Sequence, residues 1–287
     1  MGQVCGSNDL NALDGACLTF SGRIAVWFSC GAASAVAAKL ALERFPDQDV
    51  RIVNNPVAEE DPDNRRFLAD VAAWLGRPIE EARNVNYPEA SCDSVWKRRK
   101  LLSTRFGAPC TINLKKKARE QWEDKNRPDW HVLGFTADEV RRHDRFVLSE
   151  RSNVIPVLID AGLTKDDCST ILRDAGLRLP AVYDRGYPNA NCIGCVKATS
   201  PTYWNHVRRD APEVFAERAR QGREYAKNPE KLVRYKGKRI TLDELPPDAV
   251  GRPMKALRSV ECGIFCEEQP SLFPRSFRLP SPFPAVG

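Results

Sequence analysis

The sequence predicts an α/β fold, a parallel sheet covered on both faces by helices, with a helical, cysteine-bearing extension behind it. Two observations predict this. From residue 23 to about residue 174, short runs of apolar residues of strand length alternate with stretches whose apolar residues recur at helical spacing. Beyond residue 183 the texture changes to a Gly-, Pro- and Asn-bearing loop that ends in Cys192-Ile193-Gly194-Cys195, and helical stretches follow. The 287 residues suffice for a large core, since a chain of this size hides roughly three-quarters of its unfolded surface.

Taken in order, residues 23–29 read as a buried strand and 34–44 as a helix of Ala, Val and Leu. Residues 50–54 form a short strand. Residues 63–75 form a helix with Phe67, Leu68, Val71, Trp74 and Leu75 on one face. Helices are expected over 94–102 and 114–124, and strands over 130–135 and 154–158. Thr164 suits the N-cap of a helix that runs to Asp174 and ends at Gly176. Residues 201–228 are helical, and 233–242, with Lys236-Gly237-Lys238 between its halves, reads as a hairpin. The expected organisation is a flexible segment 1–21, a sheet domain 22–182, an extension 183–268 and a Pro-rich tail 269–287.

Composition excludes several classes. With 42% hydrophobic and 29% charged residues the chain is neither disordered nor collagenous. No run approaches the ~18 apolar residues of a membrane span. No basic start followed by an apolar block marks a secretory signal, so a cytoplasmic location is expected. The ten cysteines are then expected to be reduced thiols, metal ligands or catalysts. The net charge of +6 is unevenly spread. Lys97, Arg98, Arg99, Lys100, Arg105, Lys115, Lys116, Lys117 and Arg119 follow one another without an acidic residue. Such a block suits either a solvated helix face or a phosphate-bearing partner.

Residues 26–35, VWFSCGAASA, run from a strand directly into a helix. Ser29, Gly31, Ala32, Ala33 and Ser34 are small enough for a ligand to approach the backbone, and a helix start offers unpaired N–H groups to an anion. An ordinary tight turn has the same composition. Among the cysteines, Cys192-x-x-Cys195 has chelating spacing and Cys262-x-x-x-Cys266 forms a second pair. Cys110 stands in the middle of the basic block. Four thiolates hold either zinc or an iron–sulfur cluster, and spacing does not choose between them. Cys5, Cys17, Cys92 and Cys168 read as passive buried thiols.

Ser29-x-Gly31-x-x-Ser34 resembles the phosphate loop of the adenine-nucleotide alpha-hydrolase-like (PP-loop) superfamily. That group holds ATP pyrophosphatases, tRNA thiolases and the reductases of phosphoadenosine phosphosulfate (PAPS) and adenosine phosphosulfate (APS). The usual loop is Ser-Gly-Gly-x-Asp-Ser; here Cys30 replaces the first glycine and Ala33 the aspartate. Leu133-Gly134-Phe135-Thr136-Ala137-Asp138-Glu139, followed by Arg141, Arg142, His143 and Arg145, resembles the family's Gly-Ile-Arg-x-Asp-Glu-Ser-x-x-Arg stretch. Glu261-Cys262-Gly263-Ile264 resembles the tail of PAPS and APS reductases, with Phe265 in place of the usual histidine.

The resemblance implies a Rossmann-like parallel sheet, makes 22–182 a nucleotide-binding PP-loop domain, and places PAPS, APS or ATP on Ser29–Ser34. Asp138, Arg141, Arg142, Arg145 and Lys115 would serve the phosphates or sulfate. It also implies a [4Fe-4S] cluster, with Zn2+ as the alternative, on Cys110, Cys192, Cys195 and Cys266. Cys262 is then the catalytic thiolate, although the roles of Cys262 and Cys266 can be exchanged. The expected activity is reduction of a nucleotide-activated sulfate with a thiol electron donor. Two alternatives stay open: ATP-dependent thiolation of tRNA or DNA, and a non-catalytic, zinc-stapled nucleic-acid-binding module.

Overall fold

A computed structural model describes residues 22–104 and 107–257. Five strands, β1 (Arg23–Phe28), β2 (Asp49–Asn54), β3 (Ile79–Glu81), β4 (Trp130–Val132) and β5 (Val154–Ile155), form one sheet in the order β3-β2-β1-β4-β5. Every pairing within it is parallel. The α/β class expected from periodicity is the class found.

Side chains alternate across β1 as the pleat requires. Ile24, Val26 and Phe28 enter one core with the alanines of α1 (Ala32–Arg44), Phe67 and Val71 of α2 (Asp63–Leu75), and Cys168 and Leu172 of α7 (Lys165–Asp174). Ala25 and Trp27 enter the opposite core with Trp122 of α4 (Lys117–Asn126) and Phe146 of α5 (Val140–Ser149). Helices therefore cover both faces, which is what makes nearly every β1 side chain apolar.

A third core joins the extension to earlier segments. Trp204 and Val207 of α9 (Pro201–Asp210) and Ala219 of α10 (Pro212–Glu224) meet Val95 and Trp96 of α3 (Cys92–Arg99), with Leu102, Cys110 and Leu114. Residues on both sides of position 182 thus share one apolar cluster.

Several boundaries differ from the sequence reading for local reasons. β3 was not anticipated; Ile79-Glu80-Glu81 is three residues long and carries two carboxylates. Pro156 has no N–H to continue the β5 ladder, so residues expected as strand become the helical turn α6 (Val157–Asp160). The N-terminus of α3 lies at Cys92 because the Glu59 carboxylate accepts the N–H groups of Cys92 and Asp93 at 2.8 and 3.1 Å. The helix expected from 114 begins as a π-helical segment, Thr111–Lys116, just after Cys110. The helical stretch expected over 201–228 holds two helices, Pro201–Asp210 and Pro212–Glu224, broken at Ala211-Pro212. The hairpin pairs β6 (Val233–Tyr235) with β7 (Lys238–Ile240); Lys236 and Gly237 turn it with φ of 46° and 77°. No helix among the described residues is long and apolar enough to cross a membrane.

Candidate functional site

The strand order places β1 at the centre of the sheet, and the connections leave it in opposite directions beside β4. At the carboxyl ends of β1 and β4 an open parallel sheet has its natural crevice. A cavity of about 720 Å³, open mouth included, lies there. Ser29, Gly31, Ala32, Ala33 and Ser34 form one side, and Leu133, Gly134 and Phe135 form another. Gly134 is needed for that approach: a Cβ on it would stand 3.0 Å from the Ser34 backbone nitrogen.

The loop is held by its own hydroxyls. Ser34 Oγ donates to Gly31 O at 2.9 Å and accepts the Ser29 N–H at 3.1 Å, while the two serine oxygens lie 3.2 Å apart. Cys30 does not line the cavity. Its backbone adopts φ 56°, the left-handed region that favours glycine, and its thiol turns into the core beneath α1, 3.5 Å from Asn54 Nδ2. Burial first, and then Glu60, push that thiol well above its ordinary pKa.

Cations converge on the same cavity from three elements. Lys115, buried on the π-helical segment, donates to Asn55 O at 2.7 Å and to Glu60 Oε1 at 2.9 Å. Burial raises the Glu60 carboxyl pKa, and Lys115 opposes that rise. Arg142 reaches the cavity over Phe135 and bonds Glu139 at 2.5 Å. Lys165, at the start of α7, lines it from the far side. Asp138, Arg141 and Arg145 are exposed and do not line it. Arg141 and Arg145 lie one turn apart on α5 and share a face, from which Arg142 is rotated by about 100°.

The basic block is likewise divided. Lys97, Arg98, Arg99 and Lys100 are solvated, whereas Lys115 and Arg119 are buried. The Arg119 guanidinium lies 5.7 Å from the Trp27 ring, its Nε without a hydrogen-bond partner, and burial lowers its pKa to about 10. Sequence reasoning missed Trp27, Glu60, Lys165, Tyr183 and Asn189–Asn191 as lining residues. No motif marks them; they come from separate elements.

A second, smaller cavity adjoins the first. Cys192, Cys195, Tyr203 and Leu257 line it, and Asn189 and Asn191 belong to both. The Tyr203 hydroxyl accepts the Cys195 N–H at 2.8 Å and donates to Cys192 O at 3.5 Å, which fixes the Cys-x-x-Cys turn. Arg218 Nε bonds Gly194 O at 3.1 Å.

Cys92, read as passive from sequence, hydrogen-bonds both Cys110 and Cys192. The contact with Cys92 holds the Cys110 thiol below its ordinary pKa, and Cys92 itself is pushed up. Cys168 fits the passive reading, buried under α1 and α7. Cys5, Cys17, Cys262 and Cys266 lie outside the described residues.

Among the described residues no group of three or more His, Cys, Asp or Glu side chains is disposed to hold a metal ion. Cys92, Cys110 and Cys192 meet instead as thiols. In donor chemistry the set nevertheless suits a thiophilic metal or cluster. Cys92, Cys110 and Cys192 are buried in one core, Cys195 packs against it, and the Trp96 indole bonds the Cys110 thiol and helps to hold its pKa down.

Fold and site together define an open parallel α/β protein with a small-residue strand-to-helix turn at its switch point and a thiol cluster behind it. No family model matches the sequence, and no curated protein matches it. In structure the chain is similar to the PAPS reductase of Candida auris, solved as a phosphate complex, at 13% identity and a TM-score of 0.42, over 60% of this chain and 81% of that one. It is also similar to the U34-tRNA thiolase NcsA of Methanococcus maripaludis, which carries a [4Fe-4S] cluster, at 12% identity and a TM-score of 0.37, over 71% and 70% of the two chains.

Proposed function

We propose that the chain is an enzyme that binds an adenine nucleotide at the β1 loop and carries out thiol-dependent sulfur chemistry beside it, the reduction of a nucleotide-activated sulfate. The observation that carries this reading is the wall shared by the two cavities: Asn189 and Asn191 separate the loop and its cations from Cys192 and Cys195. The backbone of Gly31–Ser34 would receive phosphate oxygens, and Lys115, Arg142 and Lys165 would balance their charge. Leu133, Gly134 and Phe135, with Trp27, offer the flat apolar surface that a base requires.

The sulfur step assigned to Cys262 follows from the resemblance of its tail. The Cys262 thiolate attacks the sulfonate sulfur of PAPS, the sulfur–oxygen bond to the phosphate breaks, and the nucleotide leaves with that oxygen as a phosphate. A thiosulfonate remains on Cys262, and a thiol electron donor reduces it to release sulfite. Cys110, Cys192 and Cys195 would hold the metal or cluster, with Cys92, which bonds Cys110 and Cys192, or Cys266, the one expected from sequence, as the fourth ligand. Such a group supplies a fixed charge at the edge of the thiol cavity.

The test is mass spectrometry of the Cys262 peptide after incubation with PAPS. A sulfonate adduct that is absent from Cys262→Ser supports the reading. No adduct, together with no nucleotide binding, overturns it.

One observation favours a second reading, thiolation of tRNA or DNA. Lys97, Arg98, Arg99 and Lys100 are exposed together at the end of α3. Nucleic-acid binding through them would weaken steeply with salt, and charge reversal of the four would abolish it. Unaltered binding in that variant would remove this reading.

A further inference from the structure

We infer that the β6–β7 hairpin and the end of α3 form one cationic surface that holds the sugar–phosphate backbone of duplex DNA. The inference shares the α3 cations with the thiolation reading above and adds an element that neither reading uses.

The two elements are far apart in sequence and adjoin in the fold. Glu230, just before β6, accepts the backbone N–H groups of Leu102 and Ser103 on one carboxylate oxygen, at 3.2 and 2.9 Å. Leu102, Leu232 and Val233 are buried in the same core. The turn that ends α3 is thereby fastened to the base of the hairpin. Lys97 stands one helical turn beyond Asp93, whose carboxylate receives Gln221 Nε2 and the Tyr225 hydroxyl, both at 2.7 Å. Residues one turn apart share a helix face, so Lys97 lies on the side of α3 that meets the end of α10, where the chain runs on to Glu230.

The hairpin turns its apolar side inward and its charge outward. Val233 is buried, and Tyr235 and Ile240 pack on the same core. Arg234, between Val233 and Tyr235, is exposed on the opposite face, as strand alternation requires. Lys236 and Lys238 flank Gly237 at the exposed turn. The Lys236 ammonium lies 5.2 Å from the centre of the Tyr235 ring, a contact that leaves its charge in place.

The neighbouring carboxylates are engaged elsewhere. Asp243 bonds Arg223 at 2.6 and 2.7 Å, and Glu244 accepts the Thr241 N–H and hydroxyl at 2.8 and 3.1 Å. Lys97, Arg99, Lys100, Arg234, Lys236 and Lys238 are all exposed. Clustered, solvated cations with little apolar surface among them suit a phosphate backbone rather than an apolar partner. The hairpin favours DNA among nucleic-acid duplexes. A two-stranded ribbon fits the major groove of the B form, whereas the major groove of an RNA duplex is too deep and narrow for side chains to read.

Fluorescence anisotropy of the full chain on a mixed-sequence DNA duplex, repeated across salt concentrations, tests this. Wild-type affinity should fall steeply with salt. Arg234→Gln/Lys236→Gln/Lys238→Gln should bind about 10-fold more weakly or worse near physiological salt, with a log–log salt slope shallower by about 2–3. Lys97→Gln/Arg99→Gln/Lys100→Gln should lose a similar amount. The single variant Lys236→Gln, at the turn, should lower the slope by about 1. Arg77→Gln/Lys125→Gln/Arg173→Gln, which removes the same charge from other exposed positions, should stay within about 2-fold of the wild type. Equal weakening in that control would overturn the inference. A wild-type slope in both hairpin variants would overturn it too, and a loss confined to the α3 variant would then leave the thiolation reading standing. A wild type that binds tRNA but not duplex DNA would likewise remove the inference and keep that reading. Tighter binding to duplex RNA or to phosphatidylserine vesicles than to duplex DNA would also overturn it.

Discussion

The Tyr183 hydroxyl accepts the backbone N–H of Ala32 at 3.3 Å, across 151 positions of sequence. Ala32 opens α1, and its N–H is one of the donors that a helix start leaves for an anion. Tyr183 belongs to the short helix α8 (Ala181–Asp184), and its phenol already stands where a phosphate oxygen would bond. Tyr183→Phe keeps the ring and frees the N–H. Pyrophosphate should then bind about 2- to 10-fold more tightly by isothermal titration calorimetry. Equal or weaker binding would mean that the hydroxyl does not compete with the anion.

Lys115 and Glu60 form an ion pair with side chains only 9% exposed on either side. Removing one partner leaves an uncompensated buried charge, so Lys115→Met should cost about 3–5 kcal/mol in urea unfolding. The double variant Lys115→Met/Glu60→Gln should recover most of that loss. Additive losses would show that the two groups are not coupled.

His131 is buried on β4, accepts the Trp27 indole N–H at Nδ1, and lies 2.8 Å from Arg151. Burial, then Arg151 and Arg119, depress its pKa to about 3. Between pH 6.5 and 3 the unfolded chain therefore takes up a proton that the folded chain refuses. Stability due to this group is complete above pH 6.5 and falls with falling pH, by at most about 1.4 kcal/mol per pH unit. Denaturation midpoints of His131→Gln should show a shallower acid limb than the wild type. Parallel limbs would reject the assignment.

Cys92→Ser should lower the metal content of anaerobically purified protein to less than half that of the wild type, whereas Cys168→Ser should leave it unchanged. Iron with acid-labile sulfide would identify a cluster, and stoichiometric zinc the alternative ion. Equal metal content in both variants would exclude Cys92 from the ligand set.

The sheet was legible because periodicity is a local signal. Ile24, Val26 and Phe28 alternate with Ala25 and Trp27 whatever lies around them. The β1 turn was legible for the same reason, since its small residues are contiguous. β5 was misjudged beyond Ile155 because Pro156 outweighs an apolar run. The basic block looked uniform in one dimension, yet Lys115 is buried against Glu60 while Lys97–Lys100 face solvent. Helix phase and the position of Glu60 decide that difference, and neither is visible within the block.

Sequence alone therefore determined the α/β class, the strand-to-helix turn and the chelating spacing of Cys192 and Cys195, each set by residues adjacent in the chain. Tertiary structure alone decided which distant residues complete them. Cys92 joins Cys110 and Cys192 because α3 is tied at its start to Glu59 and shares a core with the extension. Tyr183 and Lys165 reach the loop cavity because α7 and α8 return to the same end of the sheet. Contacts of that range depend on how helices dock on the sheet, and docking leaves no spacing in the sequence.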